Sequence, residues 1–354
     1  MQFNIQVKAF AGLLAGIAVM AAAAASATGL VIFDPPGQGQ VPFAAASADG
    51  LSGITFVGSD QFFTVADSGA LLYPTTIDID LTSGLIVGSP TLNAAATLTG
   101  GTDLEGVAYD PLTDTVIVSD ETGPAVRTHP AVGGAGTAVS IPAVYTNIRA
   151  TRSLESLSRN RRTGELWTAN EEALSVDGPV SNTAAGTVVR LSNLTSGQQW
   201  AYQTDPYRSA FLGQERSGVS DLVALPNGKV LVLERELSGD LVNGAFRNRI
   251  YQVGFAGADD VAAMPMLDGE PFTAVGKTLL WEGFFANTNF EGIALGPRLD
   301  SGDHALVLVA DDDSPNTDGL YVLHLQGTIP EPSTGWLIVV GGILTLGRLA
   351  KRNA

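Results

Sequence analysis

The chain has 354 residues, with 36 acidic residues against 19 lysines and arginines, so its net charge is −17. This surplus argues against nucleic-acid binding, which needs a basic footprint, and fits an exported surface or divalent-cation sites. The sequence contains no cysteine and three histidines. Disulfides, thiolate zinc sites and a cysteine nucleophile are therefore excluded, and any bound metal should be a hard cation held by oxygen ligands.

The first 27 residues have the pattern of a secretory signal peptide. Lys8 supplies the positive charge, residues 9–25 are apolar and rich in alanine, and Ala25-Ser26-Ala27 is a small-x-small cleavage site. A short membrane anchor is the alternative interpretation. We expect the protein to be exported and residues 28–328 to form a folded domain.

Five segments of this domain resemble one another at intervals of 50 to 70 residues. Four of the five open with an apolar residue and the other opens with Ser220; in all but the first segment an acid follows, as in Leu104-Glu105-Gly106. Each continues as two short apolar runs joined by a turn of Gly, Asp, Asn or Pro residues. The runs at 115–118, 230–233 and 305–310 lack helical spacing, so we predict strands buried on both faces.

Further strands are predicted after most of these hairpins, which gives three or four strands in each repeat. That count is typical of a blade of a β-propeller. We therefore predict an all-β fold, a β-propeller of six blades, with five or seven blades as alternatives. Residues 29–33 are expected to pair with the last blade and close the ring.

Acidic residues occupy the start of the first strand and the end of the second strand in four repeats, and the first repeat has Ser52 opposite Asp67. These two places lie at the same edge of an antiparallel hairpin, so a radial arrangement gathers the acids at one mouth of the central channel. Calcium, with six to eight oxygen ligands, suits such a cluster. The predicted metal ligands are Glu105, Asp120, Glu121, Glu155, Glu171, Asp221, Glu234, Glu291 and Asp311. In the alternative interpretation, these acids accept backbone N–H groups of the neighbouring blade or pair with arginines.

The C-terminal segment, residues 329–354, combines Pro330-Glu331-Pro332, an apolar run at 335–347 and a basic end. Thirteen helical residues span about 20 Å, which is short of the roughly 30 Å hydrocarbon core of a membrane. The order of these features resembles the PEP-CTERM sorting signal. The resemblance implies a Gram-negative bacterium, processing by an exosortase-type protease, transient inner-membrane anchoring through a C-terminal hydrophobic helix, and delivery to the periplasm, cell surface or extracellular matrix. An ordinary tail anchor is the alternative.

The repeats resemble the phytase-like family of exported bacterial proteins, whose domain is described as the esterase-like activity of phytase. The shared segments are Leu104-Glu-Gly, Arg152-x-Leu-Glu-x-Leu157, Ser220-Asp-Leu-Val-Ala-Leu, Leu233-Glu-Arg and Glu291-Gly-Ile-Ala-Leu-Gly-Pro297. The resemblance extends over residues 50–325. It implies a β-propeller and calcium-supported hydrolysis of a phosphoester.

Two functions remain open at this point. In a calcium-dependent phosphoester hydrolase, bound Ca²⁺ would activate water beside Glu155, and Arg152, or alternatively Arg235, would bind a phosphate oxygen. The folded domain contains only two lysines, Lys229 and Lys277, which favours a small phosphoester over phytate. The second hypothesis is a monomeric, non-catalytic propeller that calcium stabilises and that binds extracellular polysaccharide in a biofilm matrix.

Overall fold

The computed structural model describes residues 29–44, 50–149, 152–211, 213–240, 242, 244–311, 318–327 and 329. The predicted signal peptide, and the C-terminal segment apart from Ile329, lie outside these residues. The described chain is all-β, with one 3-10 helix at Ala143–Asn147. No helix in it is long and apolar enough to cross a membrane.

The strands form five sheets, which are the blades of a five-bladed propeller. Blade 5 also contains two strands that precede blade 1 in the chain, β1 (Val31–Phe33) and β2 (Val41–Pro42). Blade 1 contains, from the channel outwards, β3 (Leu51–Gly58), β4 (Gln61–Ala66), β5 (Leu71–Thr76), β6 (Thr91–Leu92) and β7 (Ala96–Thr99). Blade 2 contains β8 (Leu104–Asp110), β9 (Thr115–Asp120), β10 (Ala125–Pro130) and β12 (Thr137–Val139), while the short β11 (Gly134–Ala135) pairs with β7.

The remaining three blades follow the same order. Blade 3 contains β13 (Leu154–Arg159), β14 (Leu166–Asn170), β15 (Val188–Asn193) and β16 (Gln199–Gln203). Blade 4 contains β17 (Arg216–Ala224), β18 (Val230–Leu237), β19 (Phe246–Gly254) and β20 (Gly276–Phe285). Blade 5 contains β21 (Asn289–Arg298), β22 (His304–Asp311), β23 (Gly319–Gln326) and then β1.

The prediction of six blades is wrong, because each of the five repeats forms one blade. The length of the domain suggested six blades. The 70 residues between the fourth and fifth repeat openings take up part of that length, in the long strands of blade 4 and in the connection at 255–275, which packs on blade 3 through Val261 and Leu267. The predicted closure is confirmed: β1 pairs antiparallel with β23, so the N-terminal strand completes the last blade.

Each interface between neighbouring blades contains an apolar cluster, which explains why the strands are apolar on both faces. Between blades 2 and 3, for example, Ile117 and Val126 lie in the same cluster as Leu154 and Leu157. Equivalent clusters fill the other four interfaces. The innermost strand of every blade also packs against those of its two neighbours, so the five inner strands form a closed ring around the channel.

Candidate functional site

The predicted acids at the strand openings sit on irregular backbone. Four of the five inner strands have a β-bulge near the start, where residues such as Glu155 in β13 and Glu291 in β21 are left without a partner in the pairing register, and β17 has its bulge in the middle, at Ser220. The same irregularity occurs beside Ser52 and Glu105. A bulge re-aims side chains relative to a regular strand, and here these four side chains line the mouth of the channel.

The mouth is a cavity of about 360 Å³, and most of its lining is ionic. Its charged lining residues are Asp67, Asp103, Glu105, Glu121, Arg152, Glu155, Arg216, Arg235, Glu291 and Asp311. Ser52, Gln214, Leu237, Phe246 and Asn289 complete the lining. Five of the nine predicted metal ligands therefore share one cavity, as the hairpin geometry required.

Three carboxylates in this cavity are close enough to share one ion. Asp103, Glu105 and Glu121 each present an oxygen within 4.8 Å of the others. The Glu121 carboxylate accepts the Ser153 N–H at 3.1 Å, which fixes its position between blades 2 and 3. Burial and the neighbouring carboxylates of Glu291, Asp103 and Glu121 raise the pKa of Glu105 well above its ordinary value. The cluster therefore lacks the compensation that ionised acids need.

Glu155 interacts with the charge of Arg235, but its burial is not compensated by a hydrogen bond within the described part of the chain. Its residue is only 8% exposed, and no donor among the described residues hydrogen-bonds or ion-pairs with its carboxylate. Burial, followed by the charges of Glu105, Glu171 and Glu291, raises its pKa well above the ordinary value. A buried carboxylate without a donor is costly unless a proton or a cation neutralises it.

Arg235 joins three blades on the opposite side of the cavity. Its guanidinium donates to the carboxylates of Glu171 in blade 3 and Glu291 in blade 5, and to the Asn289 side chain at 3.1 Å. Although burial disfavours its charge, these carboxylates raise the pKa of Arg235. Even so, burial keeps the pKa of Glu291 raised, at about 7. Arg235 thus provides, from within the protein, a positive charge for two of the acids, Glu171 and Glu291.

Arg152 is more accessible than Arg235. Its Nε lies 3.3 Å from Glu171 and 3.9 Å from Glu172, while 26% of its side chain is exposed. Burial raises the pKa of Glu172 to about 7. Because Arg152 also lines the cavity, its guanidinium is the better placed of the two predicted arginines to meet an incoming anion.

Besides Glu171, which Arg235 engages, three predicted ligands lie away from the cavity lining. Asp120 accepts the N–H groups of Thr102 and Thr122, each at 3.1 Å, and pairs with Arg127 at 3.3 Å. Glu234 is buried behind blade 4, where the Tyr202 hydroxyl and the Lys277 ammonium each lie 2.6 Å from its carboxylate.

The third residue, Asp221, lies deeper among the inner strands. Its carboxylate accepts the N–H groups of Leu222 and Ile293, both at 2.8 Å, and also that of Leu157. These donors come from blades 3, 4 and 5. Asp221 therefore ties three inner strands together, as in the alternative interpretation of the acids.

Comparison with known proteins identifies the family. The family model described as phytase-like, esterase-like activity of phytase, matches residues 47–314. The chain belongs to the phytase-like family. This match covers all five inner strands of the phytase-like propeller and every charged residue of its cavity.

No curated protein matches the sequence. Among solved structures, the phytase-like propeller is similar to the PQQ-bound aldose sugar dehydrogenase of Streptomyces coelicolor at 10% identity and a TM-score of 0.39, covering 86% of this chain and 100% of that one. It is also similar to streptogramin B lyase (11% identity, TM-score 0.35, 84% and 98% covered) and to a luciferin-regenerating enzyme (14%, 0.38, 82% and 96%).

Sequence reasoning missed two features of the phytase-like site. The first is Asp103, which immediately precedes the Leu104-Glu105 opening, outside the aligned repeat. Ser153 and Asn289 occupy the same place in blades 3 and 5, so an alignment begun one residue earlier shows a second series of side-chain oxygens.

The second feature is the height of blade 4. Ser220, at the bulge of β17, is the fifth residue of that strand, whereas Glu105, at the bulge of β8, is the second residue of its strand. The strands of blade 4 therefore extend about 10 Å further past the mouth, at 3.3 Å per residue. This wall brings Arg216, Leu237 and Phe246 to the cavity.

Proposed function

We propose that this phytase-like protein binds Ca²⁺ at the acidic mouth and hydrolyses a small phosphoester there. The observation that supports it is the convergence of Asp103, Glu105 and Glu121 within 4.8 Å, beside Glu155, which is buried and accepts no hydrogen bond from the residues that the structure describes. Oxygen ligands in an irregular arrangement suit calcium. The family description, esterase-like activity of phytase, supports the reaction class.

In this proposal the ion is held by Asp103, Glu105 and Glu121. Bound there, Ca²⁺ supplies a Lewis acid that lowers the pKa of water and offsets phosphate charge. The Glu155 carboxylate faces the same cavity, and burial and the neighbouring acids raise its pKa, which suits a group that accepts the proton of an attacking water. The Arg152 guanidinium binds a phosphate oxygen, since Arg235 is already engaged by Glu171 and Glu291.

The test uses the full chain with p-nitrophenyl phosphate and phytate, in calcium and in chelator. We expect hydrolysis of the smaller ester that requires calcium, and at least a hundredfold loss of activity in Glu105→Gln. Glu270→Gln is the matched control, because Glu270 is exposed on the 255–275 connection away from the mouth. Activity that is unchanged by chelator or by Glu105→Gln contradicts the proposal.

One observation favours a second function, a non-catalytic propeller that calcium stabilises and that binds an extracellular polysaccharide. Arg235, one of the few cations at the mouth, is committed to two carboxylates rather than open to a phosphate. Calcium would then bind the three carboxylates of blade 2, beside Glu155 of blade 3, without turnover. Thermal unfolding that shifts upwards with calcium, in a protein without phosphatase activity, supports this second function.

We also propose that the protein is exported as a monomer and processed by an exosortase-type enzyme at its C-terminal segment. The signal-peptide pattern and the Pro-Glu-Pro box support this proposal. Intact mass measurement of the protein recovered from the cell surface should show a chain that begins at residue 28 and has lost the basic C-terminal end. An uncleaved chain retained in the inner membrane contradicts it.

A further inference from the structure

The lining of the cavity changes from charged to apolar along the wall that the extended strands of blade 4 form. Arg235 and Leu237 lie two residues apart in β18 and therefore on the same face of the sheet, with the side chain of Arg235 at the level of the acids. Leu237 pairs with Phe246 across the β18–β19 ladder, and both half-buried side chains line the cavity. Among the described lining residues they are the two apolar ones.

The opposite face of the same strands explains why these two side chains point to the channel. Glu236 lies between Arg235 and Leu237 and is buried on the far side of blade 4, where Arg208 approaches it at 2.7 Å and Arg247 at 3.5 Å. This ion cluster fixes the alternation of β18, since a slip by one residue would bury Leu237 among charges. The apolar patch is thus a fixed part of the mouth.

We infer that the ligand is a phosphate monoester whose organic group is apolar, an aromatic or alkyl group, rather than a polyphosphorylated polyol. The inference rests on the proposed function, which assigns the phosphate end to the cation cluster and Arg152. The organic group then lies against Leu237 and Phe246. A volume of about 360 Å³ accommodates one small molecule of this kind.

Charge supports the same ligand class. Around the cavity, Arg152 and Arg216 accompany the carboxylates of Asp67, Asp103 and Asp311. One phosphate can contact the cation site and an arginine. Each further phosphate on the ligand would lie beside carboxylates and be repelled.

The test compares phenylphosphonate with methylphosphonate by calorimetry on the full chain in calcium. Both probes carry a phosphonate that is not hydrolysed, and they differ in the apolar group. We expect phenylphosphonate to bind about tenfold more tightly, since part of its ring leaves water. Phe246→Ala and Leu237→Ser should each reduce this ratio severalfold, whereas Leu279→Ala, which removes an exposed apolar side chain elsewhere on blade 4, should leave it unchanged.

Equal affinity for the two phosphonates, or no binding of either, overturns the inference. So does a ratio that survives in both wall variants while their melting temperatures remain near that of the unmodified chain. The proposed hydrolysis is tested separately. If the protein prefers phenylphosphonate but does not hydrolyse p-nitrophenyl phosphate, the inferred ligand class is supported and the proposed reaction is contradicted.

Discussion

Glu155 has a different energetic role with and without a cation. In the metal-free chain its buried carboxylate has no donor among the described residues, so ionisation of Glu155 destabilises the fold. We predict that Glu155→Gln raises the free energy of unfolding of the metal-free chain at pH 8 by about 1 to 3 kcal/mol. The same change should weaken calcium binding at least tenfold, because it removes a negative charge beside the ligands.

Urea unfolding in chelator and calorimetric titration with calcium measure the two effects. Glu270→Gln removes an exposed carboxylate with the same chemistry and should alter neither quantity. If Glu155→Gln destabilises the metal-free chain, its carboxylate has a stabilising partner, and its assignment to the cation site is wrong.

Arg235 has the opposite role, since it is a cation that the chain itself provides. We predict that Arg235→Met destabilises the protein by about 3 to 5 kcal/mol, because Glu291 is left as a buried, uncompensated charge and Glu171 keeps only the partly exposed Arg152. Arg127→Met is the matched control: its pair with Asp120 is partly exposed and should contribute about 1 kcal/mol or less. Denaturant unfolding of both variants measures the difference, and similar costs contradict the structural role of Arg235.

The positions of these residues also show which parts of the site can be predicted from the sequence. Glu105, Glu155 and Glu291 were predicted at one mouth because strand alternation and hairpin pairing fix where a strand begins. Asp221 and Glu234 were predicted there as well, yet they lie away from the cavity lining. The pairing register of blade 4 leaves Ser220 at the bulge, where blades 3 and 5 have Glu155 and Glu291, so Asp221 lies one residue further along the strand.

At the scale of elements, the inner strands pack so closely that the repeat requires small residues beside the acids. A Cβ on Gly106 would lie 2.3 Å from the Leu157 backbone nitrogen, and one on Gly292 would lie 2.4 Å from the Ser52 carbonyl oxygen. Ser156 occupies this place in blade 3, and blade 4 is the exception, with Asp221, whose carboxylate accepts the N–H groups of the neighbouring inner strands. The Glu-Gly pairs of the repeat therefore combine an acid for the mouth with close contact between blades.

We predict that Gly106→Ala destabilises the protein by at least 3 kcal/mol, because the added methyl group collides with backbone that cannot move without opening the ring. Gly276→Ala is the control. Its nearest neighbour would lie 3.8 Å from the new Cβ, and its backbone is extended, so its cost should stay below about 1 kcal/mol. Thermal unfolding measures the stability of the two variants. Equal melting temperatures would contradict the role of Gly106 in the close packing of the inner strands.

The strands themselves were largely predictable, and their irregularities were not. The run at 305–310 lies within β22, and residues 29–33 contain β1, as the apolar patterns indicated. The bulges that turn the acids towards the channel leave no distinct trace in an apolar pattern, because a bulge adds one residue to a strand that is buried on both faces. The extension of the blade 4 strands past the mouth was not predicted for a related reason: in the sequence, its extra residues resemble a connecting loop.

For the whole molecule, the number of blades equals the number of repeats. Blade 4 and the 255–275 connection make one repeat longer than the others, so the length of the chain does not indicate the number of blades. Closure of the ring by β1 brings the first and fifth blades together, and this places Ser52 and Glu291 at the same mouth. The acidic cavity is therefore a property of the closed ring. Its charge should affect the stability of the entire propeller.

This charge predicts an unusual dependence of stability on pH. Burial raises the pKa of both Glu291 and Glu172 from 4.5 to about 7, and it raises that of Glu105 and Glu155 in the same direction. The folded metal-free chain then binds protons more tightly than the unfolded chain. The stabilisation is complete below pH 4.5 and is lost as the pH rises through about 7. The lowered pKa of Asp205 acts in the opposite direction, but only at a pH below 4.

Melting temperatures of the full chain between pH 5 and pH 8 test this prediction. In chelator we expect the melting temperature to fall by about 5 °C across this range. Saturating calcium should remove most of the fall, because the ion binds the deprotonated carboxylates and stabilises the fold most at pH 8. Glu155→Gln should flatten the slope in chelator, and Glu270→Gln should leave it unchanged. A metal-free melting temperature that rises from pH 5 to pH 8 would mean that partners within the protein already compensate the acids, and the mouth would then have no need of a cation.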